Sequence, residues 1–64
     1  MNYRILLDKG TSILKKNNIF TAGIDAEILL SISLNKSREK ILLNLEEKLN
    51  SDEIHQFINL IQRR

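Results

Sequence analysis

From Ile24 to Leu34 the chain carries Ile24, Ala26, Ile28, Leu29, Leu30, Ile32 and Leu34, broken only by Asp25, Glu27 and two serines. At helical spacing these apolar side chains fall almost all round the axis. A helix that is apolar on every side belongs in the middle of a fold, with other elements around it. The rest of this short chain must therefore supply helices that pack against a central one.

The flanking segments have that character. Tyr3, Leu6, Leu7, Ile13 and Leu14 recur at helical spacing and predict a first helix over residues 2–16, with Asp8, Lys9, Lys15 and Lys16 mostly off the apolar face. Gly10 lies near the axis of that stripe and costs about 1 kcal/mol against alanine. It marks either the close approach of another helix or a hinge. Asn17-Asn18 ends the helix, asparagine being the best non-glycine residue for a left-handed cap. Thr21 is the expected cap of the second helix, and Asp25 and Glu27 put negative charge in its first turns, where the helix dipole favours it. Asn35 supplies the next left-handed turn, and Ser37 caps a short helix from Arg38 to Leu43. Residues 44–49 read as one further turn or short helix. Ser51, with Asn50 as the alternative cap, opens a last helix through Arg64, whose face Ile54, Phe57, Ile58, Ile61 follows i, i+3, i+4, i+7 without a gap. The expected fold is an all-α bundle of four or five helices, one domain over residues 1–64.

A chain of 64 residues buries only about 60% of the surface its unfolded form exposes. Without cysteine it has neither disulfides nor, with its single histidine, a structural zinc site. Helix packing must supply all the stability, on the order of a few kcal/mol. Apolar runs such as Ile28-Leu29-Leu30 and Ile41-Leu42-Leu43 are far below the roughly 18 residues of a spanning helix. The start Asn2, Tyr3, Arg4, with Asp8 and Lys9 close behind, lacks a signal peptide's apolar stretch, so a cytoplasmic protein is expected.

Residues that carry chemistry are sparse. Asp25 and Glu27 are two apart on a helix and face different directions, while Glu46-Glu47 and Asp52-Glu53 are adjacent. These carboxylates are expected to be solvated or to stabilise helix dipoles. His55 borders the last apolar face with no second ligand beside it. Gly10 and Gly23 are far apart and both lie in predicted helices, so no phosphate-cradling loop is encoded. No catalytic, cofactor-binding or metal-binding residue is assigned. Arg38 is the most informative charge, because it sits in the first turn of a short helix, where the dipole disfavours a cation by about 0.3–1 kcal/mol. A residue kept there needs a partner: a bridge to Asp25 or Glu27 across the Asn35 turn, or a contact outside the bundle.

The run Asp25-Ala26-Glu27-Ile28-Leu29-Leu30, the segment Leu34-Asn35-Lys36-Ser37-Arg38-Glu39 and the closing Arg63-Arg64 resemble the N-terminal helical domain of the HemK/PrmC family. These are bacterial glutamine-N5 methyltransferases that modify peptide chain release factors. Leu6-Leu7, Asn18-Ile19, Leu42, Leu49, Ser51, Phe57 and Leu60 match in the same order, so the likeness covers nearly the whole chain. Ala22 stands where relatives usually have proline, and Asn35 where they often have glycine.

The resemblance implies a non-catalytic recognition arm. A methyltransferase domain that uses S-adenosylmethionine and an Asn-Pro-Pro-Tyr signature is expected beyond residue 64, and this chain contains no proline. The implied partners are peptide chain release factors 1 and 2 and the chain's own C-terminal catalytic domain, with Arg38, Arg63 and Arg64 as candidate contacts. The competing reading is a free-standing helical module that binds nucleic acid or protein. A pI of about 9.2 favours nucleic acid, but 10 basic residues against 8 acidic ones and an apolar last-helix face speak against it.

Overall fold

A computed structural model of the chain describes residues 1–63. Four α-helices follow in order: α1 (Tyr3–Lys16), α2 (Ala22–Leu34), α3 (Arg38–Leu43) and α4 (Ser51–Gln62). The helix α1 packs along α2, α4 lies against both, and α3 rests on α2. Phe57, Leu6, Leu14, Leu30, Ile41 and Ile61 are the largest fully buried side chains, so every helix contributes to one core.

Each helix boundary has a local chemical cause. Asn2 caps α1, its side-chain oxygen accepting from the Ile5 N–H at 3.0 Å. The first two N–H groups of α1 donate instead to a distant segment, Tyr3 to the Glu47 carbonyl and Arg4 to the Leu45 carbonyl. Donors that a helix start leaves unpaired are thereby satisfied. This pairing explains why residues 44–49 form no fifth helix. A turn at Asn44 leads into extended backbone that lies beside the N-terminus, with an isolated antiparallel bridge between Asn2 and Lys48 and a bond from Leu49 N–H to the Met1 carbonyl.

The cap of α4 is Asn50, not Ser51. Its side chain accepts from Glu53 N–H at 2.8 Å while the Glu53 carboxylate accepts from Asn50 N–H at 3.0 Å. Counted from Ser51 the reciprocating position would be Ile54, which has no acceptor, so the capping box selects Asn50. Thr21 precedes α2, but its hydroxyl makes no backbone cap; it donates to the Asp25 carboxylate at 3.2 Å. The left-handed turns fall where expected, at Asn18 (φ 62°) and Asn35 (φ 54°).

Gly10 marks a close approach. A β-carbon there would stand 2.6 Å from the Phe57 ring and 3.3 Å from Ile61. Because Leu49 lies beside Met1 and Ile61 beside Gly10, α4 runs in the same direction as α1, and both end where α2 begins.

As expected, α2 is central, packing against α1, α3 and α4, but it is not buried all round. Ala22, Ala26 and Leu30 are buried, but Ile24 is 51% exposed, Ile28 39% and Ile32 63%. Principal extents of 28 × 22 × 18 Å leave room for two layers of helices, each roughly 10 Å across. Three neighbours on one side of α2 leave its other side open.

Candidate partner-binding surface

Arg38 reaches its place through a run of local bonds. Asn35 turns the chain left-handed at the end of α2, its N–H donating to the Ile32 carbonyl and that of Lys36 to the Ser31 carbonyl. Ser37 then caps α3 by accepting from Lys40 N–H at 3.2 Å. The reversal lays Arg38 back over α2, where a guanidinium N–H donates to the Glu27 carboxylate at 2.8 Å. Of the two bridge partners the sequence offered, Glu27 is the one used. The Arg38 side chain remains 46% exposed and that of Glu27 25%, so the pair contributes roughly 0.2–1 kcal/mol and keeps one side of the guanidinium open.

Of the two roles expected for Asp25, solvated or dipole-stabilising, it takes the second, in the first turn of α2. It is 9% exposed and accepts the Thr21 hydroxyl at the start of α2. Arg63 follows the last turn of α4, exposed, its N–H donating to the Asn59 carbonyl at 3.2 Å. Arg64 lies outside the described residues. Arg38 and Arg63 sit on different helices, and no contact among the described residues joins them into one site.

The structure adds a polar feature that periodicity could not reveal. The Lys36 ammonium donates to the Tyr3 hydroxyl at 3.1 Å and stands 5.8 Å from the centre of its ring. That hydrogen bond raises the Lys36 pKa above its ordinary 10.5. With Lys40, Asn44 and Glu47 these residues line an open cavity of about 290 Å³. Arg4 pairs with Glu46 at 3.0 Å on the adjoining surface, with both side chains mostly in solvent. The only sequence sign of this cluster was the mixture of charges around residues 36–48.

No group of His, Asp or Glu among the described residues is arranged to hold a metal ion. Neither glycine lies in a phosphate-cradling loop: Gly10 is closed off by the Phe57 ring, and Gly23 lies within α2. No described helix is long and apolar enough to cross a membrane.

Residues 6–64 match the family model of the PrmC N-terminal domain. The chain belongs to this family. It is 42% identical over 59 residues to the release factor glutamine methyltransferase of Leptospira interrogans, covering 92% of this chain and 21% of that protein. Over 66 aligned positions it is 41% identical to a bifunctional methyltransferase of Rickettsia felis, covering all of this chain and 12% of that one. A bifunctional methyltransferase of Rickettsia prowazekii is 38% identical, again over the full chain and 13% of the relative. This PrmC N-terminal domain thus spans between an eighth and about a fifth of the relatives it resembles. No solved structure matches it significantly.

Proposed function

We propose that this chain is the N-terminal, non-catalytic recognition arm of a cytoplasmic methyltransferase. The longer enzyme would transfer a methyl group from S-adenosylmethionine to the glutamine of the Gly-Gly-Gln motif of peptide chain release factors 1 and 2. The observation that carries the reading is the match of residues 6–64 to the PrmC N-terminal domain, supported by 42% identity to a release factor glutamine methyltransferase.

In this reading the bundle supplies binding energy from a surface remote from the reacting amide. Such energy positions the reacting group, and its loss falls on the efficiency with the large substrate. Arg38 is the first candidate contact, since its pairing with Glu27 orients it and leaves it partly open. Arg63 and Arg64 are the others, and they stand equally well for a contact with the catalytic domain.

The test is methylation of full-length release factor by the intact enzyme and by one lacking residues 1–64. The truncated enzyme should lose efficiency with the protein but treat a short Gly-Gly-Gln peptide as the intact one does. Equal efficiencies on full-length release factor would remove the recognition role.

A further inference from the structure

The helix α2 has two surfaces that its composition does not distinguish. One turns Ala22, Ala26 and Leu30 into the core; the other presents Ile24, Ile28 and Ile32, one per turn. Phe20, fully exposed in the turn before α2, continues the same four-residue spacing. Positions four apart stack on one face, so Ile24 to Ile32 form a ridge about 12 Å long. At 3.6 residues per turn Ser31 stands beside it on α2, and the charges that flank it are Asp25, 9% exposed and accepting the Thr21 hydroxyl, and, farther round, Glu27, already paired with Arg38.

The path of the chain indicates what covers this ridge. Since α4 runs parallel to α1, Arg63 emerges at the end of the bundle where α1 stops and α2 starts. Phe20 and Ile24 stand at that end, beside a cleft of about 320 Å³ lined by Lys15, Asn18, Ile19 and Phe20. The matched segment makes up only 12% to 21% of these relatives, and the family model it matches is that of an N-terminal domain. The chemistry of the ridge also discriminates between occupants. A surface that binds and releases a substrate needs polar groups to stay soluble when free, whereas an uncharged apolar ridge suits a permanent interface.

We propose that the ridge Phe20, Ile24, Ile28, Ile32 is covered, in the longer protein, by the polypeptide that follows residue 64 and folds back along α2 from its N-terminal end. The inference rests on reading the chain as the N-terminal module of a longer methyltransferase.

Thiol labelling tests it, because residues 1–64 contain no cysteine and a single introduced one can be mapped by mass. Ile24→Cys reports on the ridge, and Asp52→Cys, exposed in the first turn of α4 at the opposite end, is the control. In the 64-residue chain both should react with a maleimide at similar rates. In the full-length protein Ile24→Cys should slow by roughly tenfold or more while Asp52→Cys does not, because a covered thiol reacts only through opening. Equally fast labelling of Ile24→Cys at both lengths would overturn the proposal. So would protection that grows with the concentration of the 64-residue chain, which means a second copy, or protection that appears only on adding release factor. A protein that ends at residue 64 overturns both this proposal and the reading it rests on. Fast labelling in a longer, methylation-competent protein overturns this one alone.

Discussion

The helices α4 and α2 are nearly equal in length, 12 and 13 residues, and both are rich in isoleucine and leucine, yet only one announces its buried side. Along α4 the apolar residues Ile54, Phe57, Ile58 and Ile61 share a face, and Asp52, His55, Gln56, Asn59 and Gln62 lie exposed. The polar residues orient the helix as much as the apolar ones do, since turning it over would bury them without partners. Along α2 the two charged residues sit at the margins of the packed face, and the solvent side carries isoleucine. Composition alone makes α2 a helix without saying which side faces its neighbours. The two phenylalanines make the same contrast in single residues: Phe57 is fully buried and Phe20 fully exposed.

Substitutions can break or sharpen this comparison. The largest expected effect is that of Phe57→Ala, which empties the middle of the core and should cost about 3–5 kcal/mol. A domain of this size has little more than that to lose, so urea denaturation followed by circular dichroism should find the variant largely unfolded. Melting within a few degrees of the parent would mean that the α4 face is not buried.

Gly10→Ala should come next. The new methyl would meet the Phe57 ring at 2.6 Å, and overpacking of about 1–3 kcal/mol outweighs the roughly 1 kcal/mol that alanine gains in helix propensity. Pairing it with Phe57→Leu should give less than the sum of the two separate losses, because the residues share one space. Strict additivity in the denaturation cycle would show that α1 and α4 do not touch there.

Asn35→Val should destabilise by about 1 kcal/mol or more, because a β-branched residue resists the left-handed turn, while Asn35→Gly should be neutral or stabilising. If both substitutions cost the same in thermal melts, the turn conformation is not what asparagine supplies. The smallest effects belong to the open ridge. Phe20→Ala and Ile32→Ala should each change the stability of the 64-residue chain by less than about 0.5 kcal/mol. A loss near that of Phe57→Ala from either one would place the ridge inside the fold and erase the difference between the two helices.

Much of the fold was legible because it is encoded locally. The caps at Asn18, Asn35 and Ser37 and the Phe57 face each follow from a few adjacent residues, while Gly10, which the sequence left open between a close approach and a hinge, was decided by its contact with Phe57. Arg38 was legible in part for the same reason: its place at the unfavourable end of the helix dipole, one turn after Asn35, called for a partner, and of those open to it the structure shows Glu27. The pairing of residues 45–49 with the N-terminus was not legible, since it joins backbone groups more than forty positions apart that carry no side-chain signature. The bond between Lys36 and Tyr3 spans 33 positions and escaped notice on the same grounds.

The residues alone specify an all-α chain, the left-handed turns at Asn18 and Asn35 and the inward face of α1 and α4, because propensity, capping and amphipathic period act within a few residues. Only the tertiary structure decides which half of α2 meets the core. A bundle with room for two layers offers that helix neighbours on one side, and an axis ringed with apolar groups has no polar face to choose that side in advance.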